Sequence, residues 1–164
     1  MKHFLLALTL PLLQLSCSDL GTGLKERQFD ILFRYGISAR NELNTFDGTF
    51  TKDLILDSTR TTSFVLSETE LDSIAEDLSA ADIFSYPDTF VVQTGDTAVF
   101  ITPHQTYILK IRQGNTWKEV YWEDSLIAPD PRAGRLRQTF NAIRALVESK
   151  PEYKKLPPAR GGYL

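Results

Sequence analysis

A strand that runs straight into a capped helix constrains this chain more than any other stretch. Residues 61–66, Thr-Thr-Ser-Phe-Val-Leu, are rich in β-branched and apolar side chains, and Ser67 follows three places before Glu70. That spacing is a capping box: the Ser67 hydroxyl accepts from a first-turn N–H while the Glu70 carboxylate reaches back to the Ser67 N–H. Leu66 and Leu71 flank the cap as a hydrophobic staple. Leu71, Ile74, Ala75 and Leu78 continue at helical spacing, with Glu68, Asp72, Glu76 and Asp77 on the other face. The segment up to Pro87 therefore reads as a strand delivering an amphipathic helix onto a sheet.

The chain around it supplies the sheet. Phe29, Ile31, Phe33, Tyr35 and Ile37 alternate with Asp30, Arg34, Gly36 and Ser38, the period of a half-buried strand. Asp47-Gly48 marks a tight turn, after which Phe50, Leu54 and Leu56 share one face, and residues 57–60 turn again. Beyond the helix, Pro87 keeps Tyr86 out of the α region, and residues 90–92 predict an edge strand before a turn at 94–96. Three more strands are expected at 97–102, 106–112 and 116–122. Pro103-His104-Gln105 and Gln113-Gly114-Asn115 separate them, connections short enough for a meander.

Asp130 caps a second helix with Pro131 at its first position, and its stripe is Leu136, Phe140, Ile143 and Val147. Lys150-Pro151 stops it. The order of three strands, a helix, three strands and a helix predicts an α+β fold: an antiparallel sheet of about six strands with two helices packed on one face. One domain over 28–150 and an extended tail over 151–164 follow. Leu156, Tyr163 and Leu164 are placed to pin the tail to the body.

With 164 residues, 42% of them hydrophobic, and a mean hydropathy of -0.19, the chain can bury a self-sufficient core and does not read as disordered. Net charge is -3, but residues 131–164 hold eight Lys or Arg against two acids, +6, which leaves -9 for the rest. The basic end is expected to dock beside acidic surface of the same molecule; the strong basicity of a nucleic-acid binder is lacking, so no nucleic-acid partner is expected.

Met1-Lys2-His3 gives a positive start, residues 4–15 are almost unbroken apolar side chains, and Ser16-Cys17-Ser18 follows. This is the order of an export signal, too short for a permanent membrane span. Leu15-Ser16-Cys17 resembles the lipobox of bacterial lipoproteins, with Gln14 standing where that family generally has an aliphatic residue. The resemblance implies a signal peptide over 1–16, a diacylglyceryl thioether and an acylated amine at Cys17, and a flexible tether over 17–27. It places the protein in the cell envelope, in the outer membrane if the cell is Gram-negative, since Ser18 rather than Asp follows the cysteine. A plain secretory signal cut near Ser18 and an amphiphilic first helix of a cytosolic protein remain as alternatives.

Phosphate-cradling Gly-rich loops, a nucleophile elbow, a zinc-protease helix and paired cysteines are missing from the sequence. Without His3 and a free Cys17 only His104 is left, so neither a metal nor a cofactor is implied. The densest polar stretch, residues 40–48 followed by Thr51-Lys52-Asp53, reads as loop construction, yet Lys52 falls on the face of Phe50, Leu54 and Leu56 and needs a partner or a route to water. Two readings follow: an ion pair or a snorkelling lysine at the sheet margin, or a polar pocket in which Lys52 and Arg34 hold an anionic ligand beside Asn41, Asn44, Glu42 and Asp53. Trp117, Tyr121, Trp122 and Tyr107 suit cross-strand core packing better than an exposed platform.

Tyr35-Gly36, residues 41–46, Thr51-Lys52-Asp53, Tyr86-Pro87, residues 152–157 and Gly161-Gly162-Tyr163 together resemble an uncharacterised family of small bacterial lipoproteins. That family has no activity to carry over. The expectation is a non-catalytic binding module, its partners the bilayer through Cys17 and either an envelope protein or a small anionic ligand. The alternatives are a hydrolase of envelope polymers using carboxylates among Glu42, Asp53, Glu119, Glu123 and Asp124, and an inhibitor that inserts residues 38–47 into another enzyme.

Overall fold

The computed structural model describes residues 28–94 and 98–164. The signal, Cys17 and the tether lie outside the described residues, as does most of the turn expected at 94–96. What is described is an α+β body with one seven-stranded mixed sheet.

Four antiparallel strands come first: β1 (Phe29–Tyr35), β2 (Asn41–Asn44), β3 (Thr49–Asp53) and β4 (Thr59–Ser63). Helix α1 (Glu68–Ala80) then carries the chain over the sheet to its far edge, where β5 (Thr89–Phe90) lies parallel to β7 (Thr116–Ile127). Strand β6 (Val99–Gln113) joins β1 to β7, giving the spatial order β4-β3-β2-β1-β6-β7-β5. Helices α2 (Pro131–Ser149) and α3 (Pro151–Lys154) close the chain.

The capped helix forms as its sequence dictates. The Glu70 N–H donates to Ser67 Oγ at 3.3 Å, and the Ser67 N–H donates to the Glu70 carboxylate at 2.8 Å. Leu66, Leu71, Ile74 and Leu78 are buried. Asp130 caps α2 through Oδ1, which accepts from the Arg132 N–H at 2.8 Å, and Leu136, Phe140, Ile143 and Val147 are all buried.

Four expectations are corrected. Residues 40–48, read as a loop, contain β2, an interior strand; its two flanking residue pairs, Phe33 with Leu43 and Leu43 with Phe50, bury the one apolar position that four polar neighbours conceal. The turn expected at Pro103-His104-Gln105 is instead the irregular middle of one long strand. Proline has no N–H to give the ladder, and the register with β7 shifts there, from Phe100 opposite Leu126 to Gln105 opposite Asp124. The sheet is thus mixed and seven-stranded rather than antiparallel and about six. The tail, expected to be extended from residue 151, begins with the single turn of α3.

The three α-helices of the described residues cover the face that carries Phe33, Phe50, Tyr107 and Trp122. Phe140 of α2 packs tilted at 5.0 Å from Phe33 and 4.8 Å from Tyr107, and Tyr153 of α3 reaches Phe50 at 5.6 Å, measured between ring centroids. The other face, with Arg34, Glu42, Lys110, Glu119, Trp117 and Tyr121, has no helix of the described residues against it. Trp122 and Tyr107 therefore pack in the core as expected, whereas Trp117 is 62% exposed. The basic end meets acids from elsewhere in the chain: Arg137 with Asp124, Lys150 with Glu70, and Arg160 with Asp57.

Candidate functional site

At the Tyr35 end of β1 the sheet margin, the last turns of α2, helix α3 and the tail enclose an open cleft of about 250 Å³. Gly36 makes it possible. Its φ of +99° is a left-handed value that side chains avoid, and a Cβ there would stand 2.7 Å from Asn41 Nδ2.

Asn41 fastens the rim. Its Nδ2 donates to the Tyr35 carbonyl at 3.3 Å, and its Oδ1 accepts from the Asp53 N–H at 2.9 Å. Asp53 is buried and fully engaged: it accepts from the Tyr163 hydroxyl and from the Ile55 N–H at 3.0 Å, and Arg40 Nε lies 3.6 Å away. Arg40 Nη1 also donates to the Tyr163 hydroxyl at 3.1 Å. The tail is pinned further by Arg160, which donates to both Asp57 oxygens at 2.6 and 2.7 Å. Tyr163 and the partly buried Leu156 thus pin the tail as expected, while Leu164 is exposed and does not.

The cations of the cleft are held differently from its carboxylates. Lys52 Nζ stands 4.4 Å over the Tyr153 ring, so among the described residues its ammonium rests on an aromatic face rather than on a carboxylate. Arg144 lies 5.2 Å over Tyr35, reaches Glu148 only at 3.9 Å and engages the Tyr107 hydroxyl, while its Nε has no hydrogen-bond partner among the described residues. Burial pushes the Tyr35 hydroxyl far above the usual phenol range, with Tyr153 adding to the rise and Arg144 opposing it. Burial also raises Tyr153, as does Glu148, while Arg144 opposes. Both phenols stay protonated at neutral pH and remain donors. Lys52, Arg144 and two neutral phenols can together receive negative charge, in a cleft that also holds Glu148 and the engaged Asp53.

Of the six residues expected to form a pocket, only Asn41, Lys52 and Asp53 meet here. Arg34 and Glu42 face each other across β1 and β2 on the opposite side of the sheet, 3.5 Å apart, because the strand period turns them away from Lys52. Asn44 closes the β2–β3 turn, exchanging hydrogen bonds with Asp47 at 2.8 and 3.2 Å. Tyr35, Gln105, Arg144, Glu148 and Tyr153 line the cleft without having been expected there. Arg144 and Glu148 are four apart on α2, each one place from the buried stripe, which is the signal that marks them as bordering a packed surface.

The five carboxylates expected of a hydrolase are dispersed. Glu119 pairs with Lys110 at 3.2 Å, Glu123 accepts from the Tyr121 hydroxyl, and Asp124 holds Arg137 by two bonds of 2.6 and 2.9 Å. Asp53 alone of the five lines the cleft. Residues 38–47 do not form one free loop; most of them lie in a short 3-10 turn and in β2, and Phe46 and Asp47 are exposed in the turn that follows. Among the described residues no three His, Cys, Asp or Glu side chains are grouped to hold a metal ion, and no helix is long and apolar enough to cross a membrane. Compared with known proteins, the chain matches no family model, no curated protein and no solved structure.

Proposed function

We propose that this chain is a lipid-anchored, non-catalytic binding module of the bacterial cell envelope, held to the bilayer by acylated Cys17 and taking a small anion in the cleft of Lys52 and Arg144. The location rests on the N-terminal sequence: a charged start, an apolar run and Leu15-Ser16-Cys17. One observation carries the role. The buried carboxylate of the cleft, Asp53, is satisfied by its own neighbours, whereas Lys52 has a ring for a partner and Arg144 a carboxylate only at 3.9 Å.

A bound carboxylate or phosphate supplies what these cations lack. About 250 Å³ admits a small metabolite rather than a polymer. Titration calorimetry of the full chain against inorganic phosphate and a panel of small dicarboxylates and phosphate monoesters tests this. Binding that Lys52→Met and Arg144→Met each weaken at least about tenfold, the equivalent of one lost charge-assisted bond, is the expected outcome. No binding across the panel, or binding indifferent to both substitutions, removes the cleft from the account. Turnover of any compound, abolished by Lys52→Met, ends the non-catalytic reading.

The hydrolase reading has one observation in its favour, since Asp53 and Glu148 line the same cleft. A general acid or base must be free to exchange its proton, however, and Asp53 is tied by Tyr163, Arg40 and a backbone N–H.

A further inference from the structure

The two ends of the sheet differ in a way the anion cleft does not explain. Strand β1 runs seven residues from Phe29 to Tyr35, which at about 3.3 Å per residue separates its ends by roughly 20 Å. The cleft occupies the Tyr35 end. At the Phe29 end the turns after β2 and β6 come together: the Thr45 N–H donates to the Ile31 carbonyl at 2.9 Å, and the Gly114 N–H to the Gln28 carbonyl at 2.7 Å. Phe46, Val65 and Trp117 are exposed there. Phe46 and Trp117 stack almost parallel, 5.7 Å between centroids, and the Arg112 guanidinium lies 5.5 Å over Phe46 while pairing with Asp30. A cluster of apolar side chains left in water asks for a contact.

The described chain begins at the same end. Gln28 is the first described residue, and Cys17 lies eleven residues before it. At no more than about 3.6 Å per residue, an anchor at Cys17 lies within about 40 Å of Gln28. Strand β6 spans fifteen residues and carries the exposed Phe100 near its other end; the β7 partners of Phe100 and Gln113, Leu126 and Thr116, are ten residues apart, roughly 33 Å by the same strand rise. The reach from Gln28 covers the whole length of the sheet, but the described chain begins at the Trp117 end, so this end lies nearest to the root of the tether, and the cleft and Phe100 lie farther from it.

We infer that the Phe46–Trp117 end of the sheet rests on the phospholipid surface at headgroup depth and turns the anion cleft away from the membrane. Tryptophan suits that depth because it presents an apolar body and one N–H to a layer that is partly wet. The neighbouring Arg112, already neutralised by Asp30, adds no uncompensated charge to the contact. This inference rests on the lipid-anchor reading and adds an orientation to it.

The chain holds two tryptophans, and Trp122 is fully buried, so Trp117 is a built-in reporter. The membrane-extracted full chain is reconstituted into phosphatidylcholine and phosphatidylglycerol vesicles whose acyl chains are brominated near the headgroup, and floated on a density step. Expected are co-flotation, quenching of the wild-type fluorescence, loss of that quenching in Trp117→Phe, and none restored when Phe100→Trp is added to Trp117→Phe. Co-flotation with an unquenched wild type, or quenching that survives Trp117→Phe, overturns the orientation and leaves the anchor standing. Quenching regained through Phe100→Trp shows the opposite end on the bilayer and overturns it too. Failure to float overturns the orientation and the anchor together.

Discussion

Lys52, in the last strand residues of β3, and Tyr153, in the single turn of α3, meet across the cleft with the ammonium 4.4 Å above the ring. A cation seated on an aromatic face gains about 0.5–2 kcal/mol, depending on how far water is excluded. That is less than a carboxylate or phosphate partner offers. Lys52→Met keeps an aliphatic side chain at this position and removes only the ammonium over Tyr153, so the urea midpoint should imply a stability change within about 1 kcal/mol. Anion affinity, by contrast, should fall. A large loss of stability would make Lys52 a structural residue and not a binding one.

Tyr163 is the clasp of the tail. Its hydroxyl donates to the buried Asp53 and accepts from Arg40. In Tyr163→Phe the ring stays and the donor goes, leaving a buried carboxylate oxygen short of a partner at a cost of about 1–3 kcal/mol. The loss is local, so hydrogen exchange in residues 155–164 should quicken several-fold while the exchange of β1 and β6 amides stays as in the wild type. Equal acceleration everywhere would place Tyr163 in the global fold.

Acid should weaken the molecule through Glu70. The Lys150 ammonium, donating to both of its oxygens at 2.8 and 2.9 Å, and then the Ser67 N–H hold this carboxyl below the usual glutamate range. A native pKa below the unfolded value of about 4.3 contributes stability that is complete above that pH and lost as pH falls through the native value. Glu70→Gln should therefore be less stable than wild type at pH 7, by roughly 1 kcal/mol for a weakened cap and a lost partly exposed ion pair. The two urea-midpoint curves should converge toward pH 3. Parallel curves would mean that Glu70 has no native proton linkage.

Phe140 is fully buried, and its ring is shared by Phe33, Tyr107 and Trp122. Phe140→Ala removes the contact between α2 and the centre of the sheet and should cost about 3–5 kcal/mol by cavity formation. Thermal unfolding followed by near-UV circular dichroism reads it directly. A cost under about 1 kcal/mol would mean that α2 packs on the sheet loosely.

What the sequence makes legible follows local physics. Ser67 with Glu70, Asp130 with Pro131, and the stripes of both long helices depend on neighbours within one or two helical turns, so the order of residues alone reveals them. Strand β2 stays hidden, because Asn41-Glu42-Leu43-Asn44 spends its polar side chains on work outside the strand: Asn41 on Tyr35 and Asp53, Glu42 on Arg34, Asn44 on Asp47. Those partners leave no period in the strand itself. The same reason hides the cleft. Lys52 is conspicuous as a charge on an apolar face, but Arg144, Glu148 and Tyr153 join it from α2 and α3, about ninety or more residues later. Closeness in sequence groups Arg34 and Glu42 with Lys52, and the two-residue period of the strands sends them to the opposite face.

Everything proposed about where this molecule works follows from one sulfur atom. Intact-mass measurement of the native protein extracted from its membrane tests that most directly. The account predicts a chain beginning at Cys17, heavier than residues 17–164 by a diacylglyceryl group and an amide-linked acyl chain. A soluble protein that keeps Met1 and an unmodified Cys17 thiol would contradict it.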